Sequence, residues 1–349
     1  MPGLRILLPG KGVRNEQANY NLGKKMNPKI VVVAACLALA ACGGDGVSDG
    51  SGSGSSHTGG GTSGTGTSGT GGTGPTSGNG SVRTMTYEAL AAPSDATSFL
   101  AQLNAEGARG YRYIVEQGFS GAVTNVFIND GANTYSYEFQ SADNTQAGFL
   151  AQANQEGAKG FRYDGPASFG SLYRHQGNSS ATYTYAAAAQ PTSSAAFLTQ
   201  ANAQGQNGYW YYGPIQLNSA LTSLYIKDNS SASTYTYDAV TPPQSIGDFV
   251  TQANNEGAKG YRFKGPLGFG TDAAAVYVKD QTQSPTFTYQ SQASQTTSAA
   301  FIQQANAQGA QSEAYLGDLA FASTPSSLYF LATGCTGFLC SSLNTFTQN

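Results

Sequence analysis

The sequence predicts an α+β fold of five tandem β-α-β-β repeats of about 50 residues, with helices on one face of the sheets. Three observations lead there. The phrase F-[L/I/V]-x-Q-[A/L]-N-x-[E/Q]-G begins at Phe99, Phe149, Phe197, Phe249 and Phe301, at spacings of 50, 48, 52 and 52 residues. Aromatic residues two apart flank the copies, which is the period of a strand. Polar or Gly-Pro clusters separate these stretches. A repeat of this length is a supersecondary unit that cannot bury its apolar face alone, so the copies must stack or share a core. A pseudo-five-fold ring and a short arc both satisfy that demand.

Each unit opens on a strand such as Tyr135-Ser-Tyr137, Tyr183-Thr-Tyr185, Tyr235-Thr-Tyr237 or Phe287-Thr-Tyr289, rich in residues that favour a pleated surface. A helix follows over 146–156 and its counterparts. Phe149 and Ala153 lie four apart on its face, and Gly157 stands where a left-handed helix stop is expected. Lys159-Gly-Phe-Arg-Tyr163 and Lys259-Gly-Tyr-Arg-Phe263 alternate again as a second strand, closed by a turn at Gly165-Pro166, Gly213-Pro214 or Gly265-Pro266. The third strand is Leu172-Tyr-Arg174, Leu224-Tyr-Ile226 or Val276-Tyr-Val278. Short polar turns then lead into the next unit as antiparallel hairpins. The units span residues 82–333, and 334–349 form a tail.

Charge and the N-terminal segment bound the function. Residues 1–42 hold six of the 17 Lys and Arg and one acid, Glu16, which leaves 11 basic against 19 acidic groups, a net charge of −8. That balance excludes nucleic acid as a partner, because such binding needs a concentrated basic patch. Lys24, Lys25 and Lys29 precede a twelve-residue apolar run, Ile30 to Ala41, too short to cross a bilayer and suited to a signal-peptide core. Residues 1–25 lack such logic, and Met26 is a candidate initiator, so 1–41 are set aside from the fold. Residues 43–81 are almost wholly Gly, Ser and Thr, a flexible tether spanning roughly 35 Å on average and roughly 130 Å at full stretch. His57 within it has no partner ligands for a metal.

Leu39-Ala40-Ala41-Cys42 resembles the lipobox of bacterial lipoproteins. The resemblance implies lipidation at Cys42, which becomes the first mature residue, and with Gly43 rather than Asp next it implies sorting to the outer membrane. A membrane-anchoring helix or an ordinary cleavable signal are the other readings of this segment. Leu103-Asn104-Ala105-Glu106-Gly107-Ala108-Arg109-Gly110-Tyr111 resembles a small bacterial domain family of unknown function that carries L-N-x-x-G-x-x-G-W in a β-α-β-β unit. Here Tyr or Phe replaces the Trp, and Ser312 replaces the second glycine in the last copy. Five α/β units also resemble pentein-like propellers in shape, although their Cys-His catalytic set has no counterpart: His175 is the only His of 82–349, and Cys335 and Cys340 are its only cysteines.

No motif for metal, phosphate or nucleophilic chemistry is present, and nothing calls for a cofactor. Glu106, Glu156 and Glu256 give way to Gln204 and Gln308, which cannot act as a base. Glu88, Glu138 and Asp238 alternate with Ala186 and Gln290. All of these read as solvated acids. The five repeated asparagines, Asn104, Asn154, Asn202, Asn254 and Asn306, and the glutamines two residues before them suit the satisfaction of backbone groups in an adjoining unit. Cys335 and Cys340 can form a disulfide, worth about 2 kcal/mol at most for so short a loop.

In the second strand the residue between the paired aromatics is Arg112, Arg162, Trp210 or Arg262, which places these on the face away from the helices. If Leu224 with Ile226, and Val276 with Val278, claim the core, then Tyr173, Tyr225 and Tyr277 join that face. It is either a surface that stacks a glycan or an envelope protein, or a structural cation-π ladder. The function expected is a non-enzymatic, outer-membrane-anchored lipoprotein serving as a binding or structural module. The alternative is an envelope enzyme acting on glycans through a single divergent repeat, with His175 as the pattern-breaking His.

Overall fold

The computed structural model describes residues 84–340 except 121, 132, 271, 322, 323 and 335, together with the backbone of 4–6. The short strand β1 (Leu4–Ile6) comes first. Unit one is β2 (Thr86–Ala91), α1 (Ala96–Ala108), β3 (Arg112–Phe119) and β4 (Ala122–Asn129). Unit two is β5 (Tyr135–Gln140), α2 (Gln146–Ala158), β6 (Phe161–Ala167) and β7 (Gly170–Gln176), and unit three is β8 (Tyr183–Ala189), α3 (Ser194–Gln206), β9 (Trp210–Leu217) and β10 (Ala220–Asp228). Unit four is β11 (Tyr235–Val240), α4 (Ile246–Ala258), β12 (Arg262–Phe269) and β13 (Asp272–Asp280). Unit five is β14 (Thr286–Ala293), α5 (Ser298–Gly309), β15 (Ala314–Phe321) and β16 (Thr324–Thr333), followed by a 3-10 turn at Gly337–Leu339. The α+β class and the repeated unit are therefore as the sequence predicts.

In every unit the third strand lies between the other two, paired antiparallel to both. Residues 4–6 add an antiparallel strand to β15, so part of the segment set aside from the fold contributes to the sheet of unit five. Each helix begins where Asp95, Thr145, Ser193, Ser245 or Thr297 accepts a hydrogen bond from the backbone N–H three residues on.

Two expectations about glycine are corrected. Gly157 lies inside α2, and the left-handed stop falls at Gly160, with φ +89°. A Cβ at Gly157 would stand 2.3 Å from the carbonyl oxygen of Tyr183 in the next unit, so the residue is small because helix and neighbouring strand touch there. Gly165-Pro166 makes no turn: β6 runs through it, with a bulge between Tyr163 and Gly165 that needs the φ of +121° at Gly165.

The units meet through side chains. Asn154 Oδ1 accepts from the N–H of Tyr185, 2.7 Å away, and Nδ2 donates to its carbonyl, and Tyr163 N–H donates to the Tyr185 hydroxyl at 2.7 Å. The same bonds recur at each junction. At the last, Asn306 engages the backbone of Tyr87, Met85 N–H donates to the Gly309 carbonyl, and Tyr315 N–H donates to the Tyr87 hydroxyl. Helix α5 thus packs on β2 as α1 packs on β5, and the described units close into a ring.

One sheet face packs under the helices, where Phe149 meets Tyr163 edge-on at 5.1 Å and Tyr163 contacts Tyr173 at 5.4 Å. The other face turns inward, where side chains of different units meet.

Candidate functional site

Closure of the ring buries both faces of each sheet, and that overturns the exposed face expected for the second strands. Trp210 is fully buried, and Arg112, Arg162 and Arg262 are 3%, 6% and 1% exposed. The indole packs edge-on against Tyr235 at 5.3 Å and against Phe338 at 5.9 Å. Tyr173, Tyr225 and Tyr277 do not join them. Directly paired residues of adjacent strands share a face, and Tyr173 pairs with Tyr163 while Arg174 pairs with Arg162. The tyrosines accordingly lie under the helices, where Tyr225 donates to Gln200 Oε1 at 2.8 Å and Tyr277 to Gln252 Oε1 at 3.1 Å. The asparagines and glutamines satisfy backbone of the strands they abut, as their pattern suggests: Gln152 Nε2 donates to the Ser141 carbonyl at 2.8 Å.

The ring centre gathers basic side chains. Arg174 holds Asp164 in a two-pronged bridge, Nε to Oδ2 at 2.8 Å and Nη2 to Oδ1 at 3.1 Å. Arg262 Nη1 donates to the carbonyls of Phe338 and Leu339, each at 2.8 Å, and its Cζ lies 4.6 Å above the Phe330 ring. Lys264 donates to the Tyr212 carbonyl at 3.0 Å and stands 5.1 Å over Trp210. Arg162 lies 4.3 Å over the ring of Phe338.

Charge buried in this interior is costly. Burial, then Arg262 and Arg162 nearby, push the Lys264 ammonium well below its usual range, and burial brings Arg262 down to about 9. Burial and then Arg174 lower both Arg112 and Arg162. Burial also opposes the charge of Arg174, but Asp164 outweighs it and raises that group. The 3-10 turn seals this centre. Phe338 and Leu339 are buried, Thr336 N–H donates to Gln283 Oε1, and Cys340 is disulfide-bonded. Cys335, its expected partner, and Cys42, the expected lipidation site, lie outside the described residues.

No protein-family model, curated protein or solved structure matches this chain.

A second cluster lies between helix ends and first strands. Glu106, Glu156 and Glu256 were expected to be solvated, yet they are 8%, 3% and 7% exposed and each is paired to the basic residue three positions on, Arg109, Lys159 or Lys259. Burial, then the hydrogen bond and charge of Glu106, push Glu88 up to about 7. Glu138 is likewise raised, by burial and then by Glu156; for Glu156 burial is outweighed by hydrogen bonds with Glu138 and Lys159, which hold it low. Glu88 and Glu138 therefore hold their protons to higher pH than an ordinary carboxyl does. His175 packs on the Phe161 ring at 5.4 Å, beside the Gly160 turn. Among the described residues no three His, Cys, Asp or Glu gather as metal ligands.

Asp164, Arg174, Lys264 and Phe338 escaped the sequence reading. A signal existed: the positions equivalent to Arg174 hold Ile128, Ile226, Val278 and Phe330, so a charge there breaks an apolar register.

Proposed function

We propose that this chain is an outer-membrane-anchored lipoprotein in which a closed five-unit ring, tethered by a long Gly/Ser/Thr segment, serves as a non-enzymatic binding or structural module of the cell envelope. The observation that carries this reading is Leu39-Ala40-Ala41-Cys42 at the end of a short apolar run with a basic leader. Multiple acyl chains on Cys42 would hold the protein stably, where a single chain is marginal. The disulfide at Cys340 fits an oxidising envelope compartment. The paired acids give little support to a glycan hydrolase. Glu88 is within hydrogen-bonding reach of Glu106, whereas the two acids of such enzymes stand about 5 Å or more apart to admit the sugar.

The test is metabolic acyl labelling with detergent partition. The parent chain takes up label and enters the detergent phase, and Cys42→Ser does neither. Unchanged labelling of Cys42→Ser would remove the basis of the proposal.

A further inference from the structure

Arg162 stands apart from the other basic groups at the ring centre. It is 6% exposed, and its Nε and Nη2 are buried with no hydrogen-bond partner among the described residues. These two atoms form one edge of the guanidinium, the edge that matches the two oxygens of a carboxylate or phosphate. Directly across the β6–β7 register, Arg174 uses the same two atoms to grip Asp164. The two arginines therefore present the same fork side by side, one filled by a carboxylate of the chain and the other by no group among the described residues.

The surroundings restrict what fits. Phe338 covers the flat face of the Arg162 guanidinium at 4.3 Å, so a ligand meets it edge-on. Arg112, Arg262 and Lys264 come from units one and four and add positive charge around the same centre. Buried cations demand compensation by an anion or a hydrogen-bonding partner. We propose that the ring centre binds one small oxyanion, carrying two oxygens on one face as a carboxylate, sulfate or phosphate does, in the Nε–Nη2 fork of Arg162. This site is independent of the lipid anchor.

The test titrates the full chain with acetate, sulfate or inorganic phosphate at constant ionic strength, following the melting temperature, with calorimetry for stoichiometry. Binding to the folded state raises the melting temperature with a saturable dependence on anion concentration, and one anion per chain is expected. Sulfate and phosphate also stabilise proteins by exclusion from their surface, so variants isolate the site. Arg162→Gln removes the saturable phase, Arg162→Lys keeps the charge without the fork and weakens it at least about tenfold, and Arg109→Gln on the outer surface leaves it intact. Arg162→Lys alone decides the matter if Arg162→Gln does not fold. A response to acetate alone assigns a planar carboxylate, and a response to sulfate and phosphate alone assigns a tetrahedral group. A parent chain with no saturable phase, or a phase unchanged in the Arg162 variants, overturns the site.

Discussion

At the scale of single residues, Trp210 shows how much of this protein's stability rests inside the ring. It touches Tyr235 and Phe338, and Lys264 lies over its ring. Trp210→Ala should therefore cost about 3–5 kcal/mol, as removal of a large buried aromatic does; a denaturant midpoint equal to the parent's would place the indole elsewhere. Glu88 makes a different prediction. Its carboxyl titrates near 7 in the folded chain against 4.5 ordinarily, so the folded state holds the proton more tightly. That contribution is complete below pH 4.5 and is lost as pH rises through 7, so stability falls across this window. Glu88→Gln should flatten the fall, read from urea melts at a series of pH values; parallel profiles for parent and variant would count against the upward shift of Glu88. Charged residues were the least legible part of the sequence. Alternation shows which face a side chain takes and does not show whether that face meets water or another unit.

The elements are joined by a seam in which a helix side chain replaces the backbone pairing of a continuous sheet. Asn254 links α4 to β14 by accepting from the Tyr289 N–H at 2.7 Å and donating to its carbonyl at 3.1 Å. Asn254→Ala leaves both backbone groups unmet and should cost about 1–3 kcal/mol. Calorimetric melting checks this, and a shift under about one degree would mean that water replaces the amide. The helices were legible because the repeated phrase carries their face, their neighbour-facing amide and the close-approach glycine together. Strand faces were harder to read. Leu224 and Ile226 are as apolar as a core needs, yet Tyr225 between them is equally buried, so hydrophobicity could not tell the two sides apart. The bulge at Gly165 was also hidden, since Gly-Pro reads as a turn unless the partner strand is known.

For the molecule as a whole, closure distinguishes one junction from the other four. Consecutive units are joined by short connections such as 229–234, while units five and one, last and first in chain order, are held by contacts that include the hydrogen bonds of Asn306 and Tyr315 with Tyr87, of Met85 with Gly309 and of Ser120 with Thr296. A covalent link keeps a broken seam's partners at high effective concentration. Asn306→Ala should thus speed amide exchange in β2 and α5 by roughly 5- to 150-fold, more than Asn154→Ala does in β8 and α2. Equal effects at both seams would imply a ring that opens nowhere first. The choice between ring and arc was not legible in the sequence, because the same phrase serves every junction and closure depends on the angle between units. The closed frame also has a quieter consequence. Its backbone repeats five times, but the inward position reads Arg112, Arg162, Trp210, Arg262 and Ala314 in turn. A guest at the axis therefore meets walls that are not equivalent, three of arginine, one of tryptophan and one of alanine, so the five-fold repeat is not carried into how it lies and saturation should come at one guest per chain, where a chemically uniform ring would offer five equivalent poses.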